Sequence, residues 1–237
     1  MTDIVGQEIK FIRLNEHDLI GRIMERGFFE GHVLTTACKL LEGAMPGVIL
    51  DIGANMGTFT VPLAYGNPQF YFVAFEPQRM VYNQLCGNLA INMISNVEAH
   101  NFGLSKAQQE LDVEVPDYMT ETNIGAFSLD AEVRSHDDYL CKTKGNVQKI
   151  MLYPLDSLGI KDIRLIKIDV EGMELDVLMG GIETIKRNNY PPILFEAWEH
   201  KEWFAPRKRE LCDFLESLGY EITNMGEDNY AVYKGEK

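Results

Sequence analysis

Apolar runs of strand length alternating with helical stretches predict an α/β protein built on a doubly wound, mainly parallel sheet. Three observations carry this. Val48 to Asp51 is a β-branched run that enters a glycine turn, Gly53-Ala54-Asn55-Met56-Gly57, and then a helix-like stretch from Thr58. Further apolar runs end in an acid: Phe70 to Glu76, Leu165 to Asp169 and Pro192 to Glu196. Tyr220–Thr223 and Asn229–Tyr233 alternate like a closing hairpin, which places an antiparallel strand in the sheet.

The stretches between these runs follow in order. Residues 4–14 alternate enough for a strand arm, and Asp18 to Phe29 and Val33 to Leu41 carry apolar residues at helical spacing. Glu42 to Gly47 stops the second helix. This extension of about 45 residues is read as a lid, a dimer contact or packing, and a homodimer stays open. Arg79 to Asn92 has helical periodicity through Val81, Leu85 and Leu89. Val97 to Ser105 reads as a third strand with its loop, and Leu111–Val115 as a half-exposed strand. Residues 117–149 are polar and irregular, an insertion or mobile loop of the kind that shapes a substrate pocket. Glu174 to Ile185 and Arg207 to Leu218 are expected as single helices, the second ended by Gly219. No repeat or linker interrupts the chain, so one domain over 1–237 is expected.

Charge narrows the partners. The chain of 237 residues carries a net charge of −14, and a duplex nucleic acid would need a basic face. The basic cluster Arg207-Lys208-Arg209 sits among Glu202 and Glu210 and reads as a solvated helix face. Cys38, Cys86, Cys141 and Cys212 form no C-x-x-C pair, which suits free thiols in a reducing compartment. No charged start precedes an apolar segment, and no apolar run approaches the ~18 residues of a membrane span. A cytoplasmic protein with no membrane and no nucleic-acid partner is expected.

The glycine turn has the shape of a nucleotide crevice, because free backbone N–H groups point at whatever sits there. Its pattern is G-x-N-x-G, not G-x-G-x-x-G. Asp51, just before it, would repel a pyrophosphate and suits an ammonium or sulfonium. Glu76 follows Asp51 by 25 residues, the separation of a strand, a helix and a strand, and is placed to accept both hydroxyls of a ribose.

Leu50 to Gly57, Phe75-Glu76-Pro77 and Ile168-Asp169-Val170-Glu171-Gly172-Met173-Glu174 together resemble the FkbM-type S-adenosylmethionine-dependent methyltransferases. The asparagine in the glycine turn and the D-V-E-G-x-E run are the specific parts. The likeness covers roughly Gly27 to Gly181 and loosens toward the C-terminus. It implies the Rossmann-like class I methyltransferase fold, a seven-stranded sheet with the last strand antiparallel. It also implies O-methylation of a small molecule or glycan, with S-adenosyl-L-methionine as cofactor. By position, Gly53, Asn55 and Gly57 line the methionine part, with Asp51 near its ammonium directly or through water. Glu76 takes the ribose hydroxyls, Asn101 and Gly103 border the adenine, and Asp169 sits beside the sulfonium. Residues 1–45 and 117–149 carry no motif that transfers, so the acceptor stays unnamed.

Asp169 and Glu171 are the candidate bases for a neutral hydroxyl. Each also has a structural alternative: an Asp accepting backbone N–H groups at a turn, and a Glu favoured by a helix dipole. Asp169 and Glu196, ending adjacent strands, are a weaker candidate pair for a divalent metal such as Mg²⁺. His200 is a rival base, and Trp198 and Trp203 are expected to edge the pocket or simply to pack. Two other classes stay open. A nicotinamide oxidoreductase would use Glu76 in the same way, and a non-catalytic cofactor-binding or scaffold protein would keep the turn and lose the acids.

Overall fold

A computed structural model gives the fold and describes residues 9–12, 30–118, 124–136, 143–226 and 228–234. Helix α1 (Gly31–Leu41) precedes β1 (Val48–Ile52), α2 (Thr60–Gly66), β2 (Tyr71–Phe75), α3 (Arg79–Ile91) and β3 (Val97–His100). Next come β4 (Gly103–Leu104), β5 (Gln109–Pro116), α4 (Ala131–Arg134) and β6 (Thr143–Tyr153). The chain closes with β7 (Ile163–Ile168), α5 (Glu174–Met179), α6 (Ile182–Arg187), β8 (Ile193–Glu196), α7 (Ala205–Ser217), β9 (Tyr220–Gly226) and β10 (Asn229–Lys234).

The main sheet has seven strands in the order β3-β2-β1-β7-β8-β10-β9. The pairs from β3 to β8 are parallel, and the last strand, β10, runs antiparallel to both β8 and β9. This is the Rossmann-like methyltransferase architecture. Its central strands are buried on both faces, which is why they read as continuous apolar runs rather than alternating ones. Alternate residues sort onto two cores. Ile49, Phe72, Leu165 and Leu194 pack under α1 and α2, while Leu50, Phe75, Ile166 and Phe195 pack under α5, α6 and α7.

Four expectations change. The third run splits: β3 stays in the main sheet, and β4 joins a separate three-stranded sheet, β4-β6-β5. Asn101 sits at the break, donating from Nδ2 to the carbonyls of Glu76 (2.9 Å) and Pro77 (3.1 Å), which closes the end of β2. Residues 143–149 are strand, because β6 pairs antiparallel with β5 along Gln109 to Glu114. Its Gly145 and Asn146 hid that, since long-range pairing and not local propensity orders the segment. The expected helix from Glu174 to Ile185 is two helices. A Cβ on Gly180 would lie 2.1 Å from the Ser105 carbonyl oxygen, so a passing loop meets the chain there. Asp156, brought from the other side, then starts α6 by accepting from the backbone N–H groups of Glu183 (3.2 Å) and Thr184 (2.6 Å). Finally, Ile9 to Ile12 form no regular element and join no sheet; the rest of the expected arm and the helix over 18–29 lie outside the described residues, as does Cys141.

The basic cluster of α7 is largely paired. Arg207 contacts Asp130 (2.6 Å) and Glu132 (2.7 Å), and Lys208 contacts Glu199 (2.8 Å). Among the described residues, no helix is long and apolar enough to cross a membrane.

Candidate active site

The carboxyl ends of β1, β2, β7 and β8 open into one cleft with about 900 Å³ of empty space, its open mouth included. Gly53 and Asn55 form one wall. Both have backbone torsions in the left-handed region, φ +80° and +50°. Gly53 has no alternative, because a Cβ there would lie 1.7 Å from the Asp169 carbonyl oxygen, where β1 and β7 end side by side. Asn55 tolerates its torsion by accepting the next N–H, Met56 N to Oδ1 at 2.8 Å. The turn is anchored to β2 by Gly53 N and Ala54 N, which both donate to the Phe75 carbonyl (3.0 and 2.9 Å).

Glu76 stands beside that wall, buried, and one carboxylate oxygen accepts from Asn55 N (3.0 Å) and the other from Gln78 N (2.8 Å). Removal from water outweighs those two bonds and pushes its pKa up to about 7. Each oxygen keeps a further lone pair, so the group is a held acceptor at the cleft wall.

Across the cleft stand Asp169, Glu171 and Glu196, each offering a carboxylate oxygen within 4.8 Å of the others. Strands β7 and β8 run parallel with Ile168 opposite Phe195, which sets the acids that follow them side by side. Glu171 reaches the cleft from a left-handed torsion, φ +55°, a conformation that costs a non-glycine residue about 1–2 kcal/mol. Glu174 stabilises that turn, its Oε1 accepting from the N–H groups of Val170 (3.2 Å) and Gly172 (3.1 Å) on either side. Burial first, and the Asp169 carboxylate second, push the Glu171 and Glu196 pKa values well above the usual range.

Lys167 balances part of this charge. It is buried, and its Nζ lies 3.2 Å from Asp51 Oδ1, 3.1 Å from Asp169 Oδ2 and 2.9 Å from the Gly53 carbonyl. Burial alone would lower its pKa, and the two aspartates overturn that and raise it.

The expected residues therefore fall into two groups. Gly53, Asn55, Glu76, Gly103, Asp169, Glu171 and Glu196 line the cleft. Asp51, Gly57 and Asn101 lie behind it. Asp51 is fully buried between Lys167 and the Thr60 hydroxyl (2.5 Å). Gly57 faces Val61 and Leu85, and Asn101 supports the loop after β2. His200 is mostly exposed and pairs with Asp228 (2.9 Å), and Trp198 packs against Phe204 (ring centroids 4.9 Å), with Trp203 adjacent, away from the cleft lining.

Several lining residues were missed. The turn Ile124–Ala126, with Phe127 and Leu129, covers one side, tied down by Gln78 Nε2 donating to the Ile124 carbonyl (3.0 Å). Its apolar run was visible in sequence, but its destination was not. Glu30 reaches the cleft from a segment without a motif, and Met173 from the unspecified position of the D-V-E-G-x-E run.

A parallel sheet with a glycine turn at β1, an acid at the end of β2 and acids at its centre defines a methyltransferase-type α/β protein. The chain belongs to the FkbM methyltransferase family: the family model described as "Methyltransferase FkbM domain" matches residues 51–222. It is 28% identical over 184 residues to Methyltransferase 1 of Beauveria bassiana, covering 73% of this chain and 72% of that protein. It is 30% identical over 208 residues to Methyltransferase sdnD of Sordaria araneosa, covering 74% of each. Among solved structures, a chain from Streptococcus mutans described as a methyltransferase in complex with SAH superposes with a TM-score of 0.50. Its identity is 10%, over 84% of this chain and 94% of that one, a likeness of fold alone.

Proposed function

We propose that this methyltransferase uses S-adenosylmethionine and methylates a hydroxyl of a small molecule or glycan. The observation that carries the reading is the pairing of ends in one cleft: a held carboxylate, Glu76, beside the glycine turn, and three clustered carboxylates opposite. The cofactor fits the first end by chemistry. A diol needs an acceptor fixed in place, and Glu76 is fixed by two backbone N–H groups. The N–H groups from Gly53 to Gly57 are all bonded within the protein, so the turn gives the cofactor a closely approached wall, and Gly103 and Leu104 give it an apolar floor. The likeness to a chain that binds SAH supports the same choice.

When bound, S-adenosylmethionine supplies an electrophilic methyl group on a sulfonium. The chain's own residues then have two tasks. Asp169, held by Lys167, places negative charge at the centre of the cleft, where a cation is stabilised. Glu171, whose proton affinity is raised by burial and by Asp169, takes the proton that the acceptor hydroxyl loses as its oxygen is alkylated. The turn Ile124–Ala126 and Phe127 screen that side from water.

Thermal unfolding with SAH or NAD tests the reading. SAH at a hundredfold over its Kd adds about 2.7 kcal/mol, roughly 5–10 °C for a chain of this size, and NAD adds nothing. A gain from NAD alone would transfer the chain to the nicotinamide class, and no gain from either would favour a scaffold that binds neither cofactor.

The carboxylate trio favours one second reading, a divalent cation held by Asp169, Glu171 and Glu196 that orients a diol acceptor. Oxygen donors only suit Mg²⁺ or Mn²⁺. Turnover that survives EDTA unchanged removes it.

A further inference from the structure

Helix α3 and its C-cap carry three buried amides one turn apart, Gln84, Asn88 and the capping Asn92, on the face toward the N-terminal segment. They read the backbone of residues 10–12 as a neighbouring strand would. Lys10 N donates to Asn92 Oδ1 (2.8 Å), and Asn92 Nδ2 donates back to the Lys10 carbonyl (2.7 Å). Ile12 N donates to Asn88 Oδ1 (2.6 Å), and Gln84 Nε2 donates to the Ile12 carbonyl (2.6 Å). The Ile12 side chain lies over Gly87, where a Cβ would meet it at 2.4 Å.

Asn88 faces both ways. Its Nδ2 donates to the carbonyl of Met56 (2.8 Å), inside the turn that presents Asn55 and Gly53 to the cleft. The fully buried Asn88 thus joins residues 10–12 to the turn, with Gln84, whose Nε2 also reaches Met56 Sδ (3.6 Å), beside it. Burying an amide is costly unless both of its ends are bonded, so loss of the Ile12 partner weakens the hold on Met56 as well. We propose that Asn88 is a positioning residue for the cofactor turn, and that residues 10–12 are the strap that keeps it in place. The inference rests on the reading of that turn as the cofactor site.

Coupling of this kind is reciprocal, so cofactor and strap must stabilise each other by one factor. The variant Ile12→Pro deletes a single N–H donor and leaves the cleft lining intact; Ile12→Ala keeps the N–H and removes the packing over Gly87. SAH is the probe, titrated by calorimetry well below each variant's unfolding temperature. I12P is expected to weaken SAH binding about fivefold to tenfold, and I12A less than twofold, as loss of one buried hydrogen bond implies. N88A should weaken it at least as much as I12P, and the double variant I12P/N88A no more than N88A alone. In the wild type, saturating SAH should slow amide exchange at residues 10–12 by the factor that I12P costs in affinity. Binding by folded I12P within twofold of the wild type overturns the inference, as do equal losses in I12P and I12A, or additive losses in the double variant. A wild type that binds no SAH at all overturns the cofactor reading instead. The strap can still be judged in that case, because I12P must speed amide exchange at Met56 and Gly57 in the turn and I12A must not; unchanged exchange there overturns it.

Discussion

Glu76→Gln isolates the charge at the cofactor end of the cleft while preserving shape. In the wild type both carboxylate oxygens accept backbone N–H groups, from Asn55 and Gln78. A glutamine satisfies one and turns an NH₂ toward the other, so the variant resembles protonated Glu76. The lost acceptor would serve the ribose hydroxyls. Hydrogen bonds to a charged group contribute about 1.5–3 kcal/mol each, so a net loss of about 2–4 kcal/mol, roughly 30- to 1000-fold in SAH affinity, is expected at pH 8. The pH dependence follows with its sign. The folded-state pKa, about 7, lies above the ordinary carboxyl value of 4.5, so between these the native state binds more protons than the unfolded one. Glu76 therefore makes stability fall as pH rises through that window, by up to about 3 kcal/mol. E76Q removes this contribution, leaving a shallower slope that still contains Glu174, whose pKa burial also raises to about 7. Below pH 7 the wild-type group is itself protonated, so the affinity gap between wild type and variant must shrink. Calorimetric titration with SAH at pH 6 and pH 8, alongside thermal unfolding at both, measures each quantity. A folded E76Q that binds SAH within threefold of the wild type at pH 8 refutes the reasoning, as does a gap that is the same at both pH values.

Other expectations follow from the same geometry. Lys167→Met strands Asp51 and Asp169 without their cation and should cost about 3–5 kcal/mol in urea unfolding, of which K167M/D51N recovers part by removing one buried charge; equal stability of K167M and wild type would show that the ion pairs contribute nothing. Glu171→Gln should lower turnover about 10²- to 10⁴-fold and abolish a rise of rate with pH, while SAH affinity changes little. Turnover by E171Q near the wild-type rate would remove Glu171 as the proton acceptor. Gly53→Ala drives a methyl group into the Asp169 carbonyl and should both destabilise the fold by several kcal/mol and weaken SAH binding, read by unfolding and titration; a silent substitution would mean that β1 and β7 separate easily at their ends.

The second sheet and the divided helix mark where local patterns stop deciding. Thr143 to Lys149 has weak strand chemistry, and only its pairing with β5 makes it a strand. The helical pattern through Leu175, Leu178, Met179 and Ile182 was sound, yet the passing Ser105 loop and the Asp156 cap cut it in two. Both causes lie far along the chain.

The central strands, their order of appearance and the acids at their ends were legible in sequence. A strand buried on both faces must be apolar throughout, and a glycine turn with a spaced acid needs residues at fixed intervals. Only the tertiary structure decided which acids act as neighbours. Asp51 and Asp169 both follow β-branched runs, yet Asp51 lies buried behind the turn and Asp169 lines the cleft. The lysine two residues before Asp169 holds both of them. The asparagine of the turn was visible as an odd residue in a glycine motif. That a second asparagine, Asn88, grips the adjoining carbonyl was not, because hydrogen bonds between distant segments leave no period in the sequence.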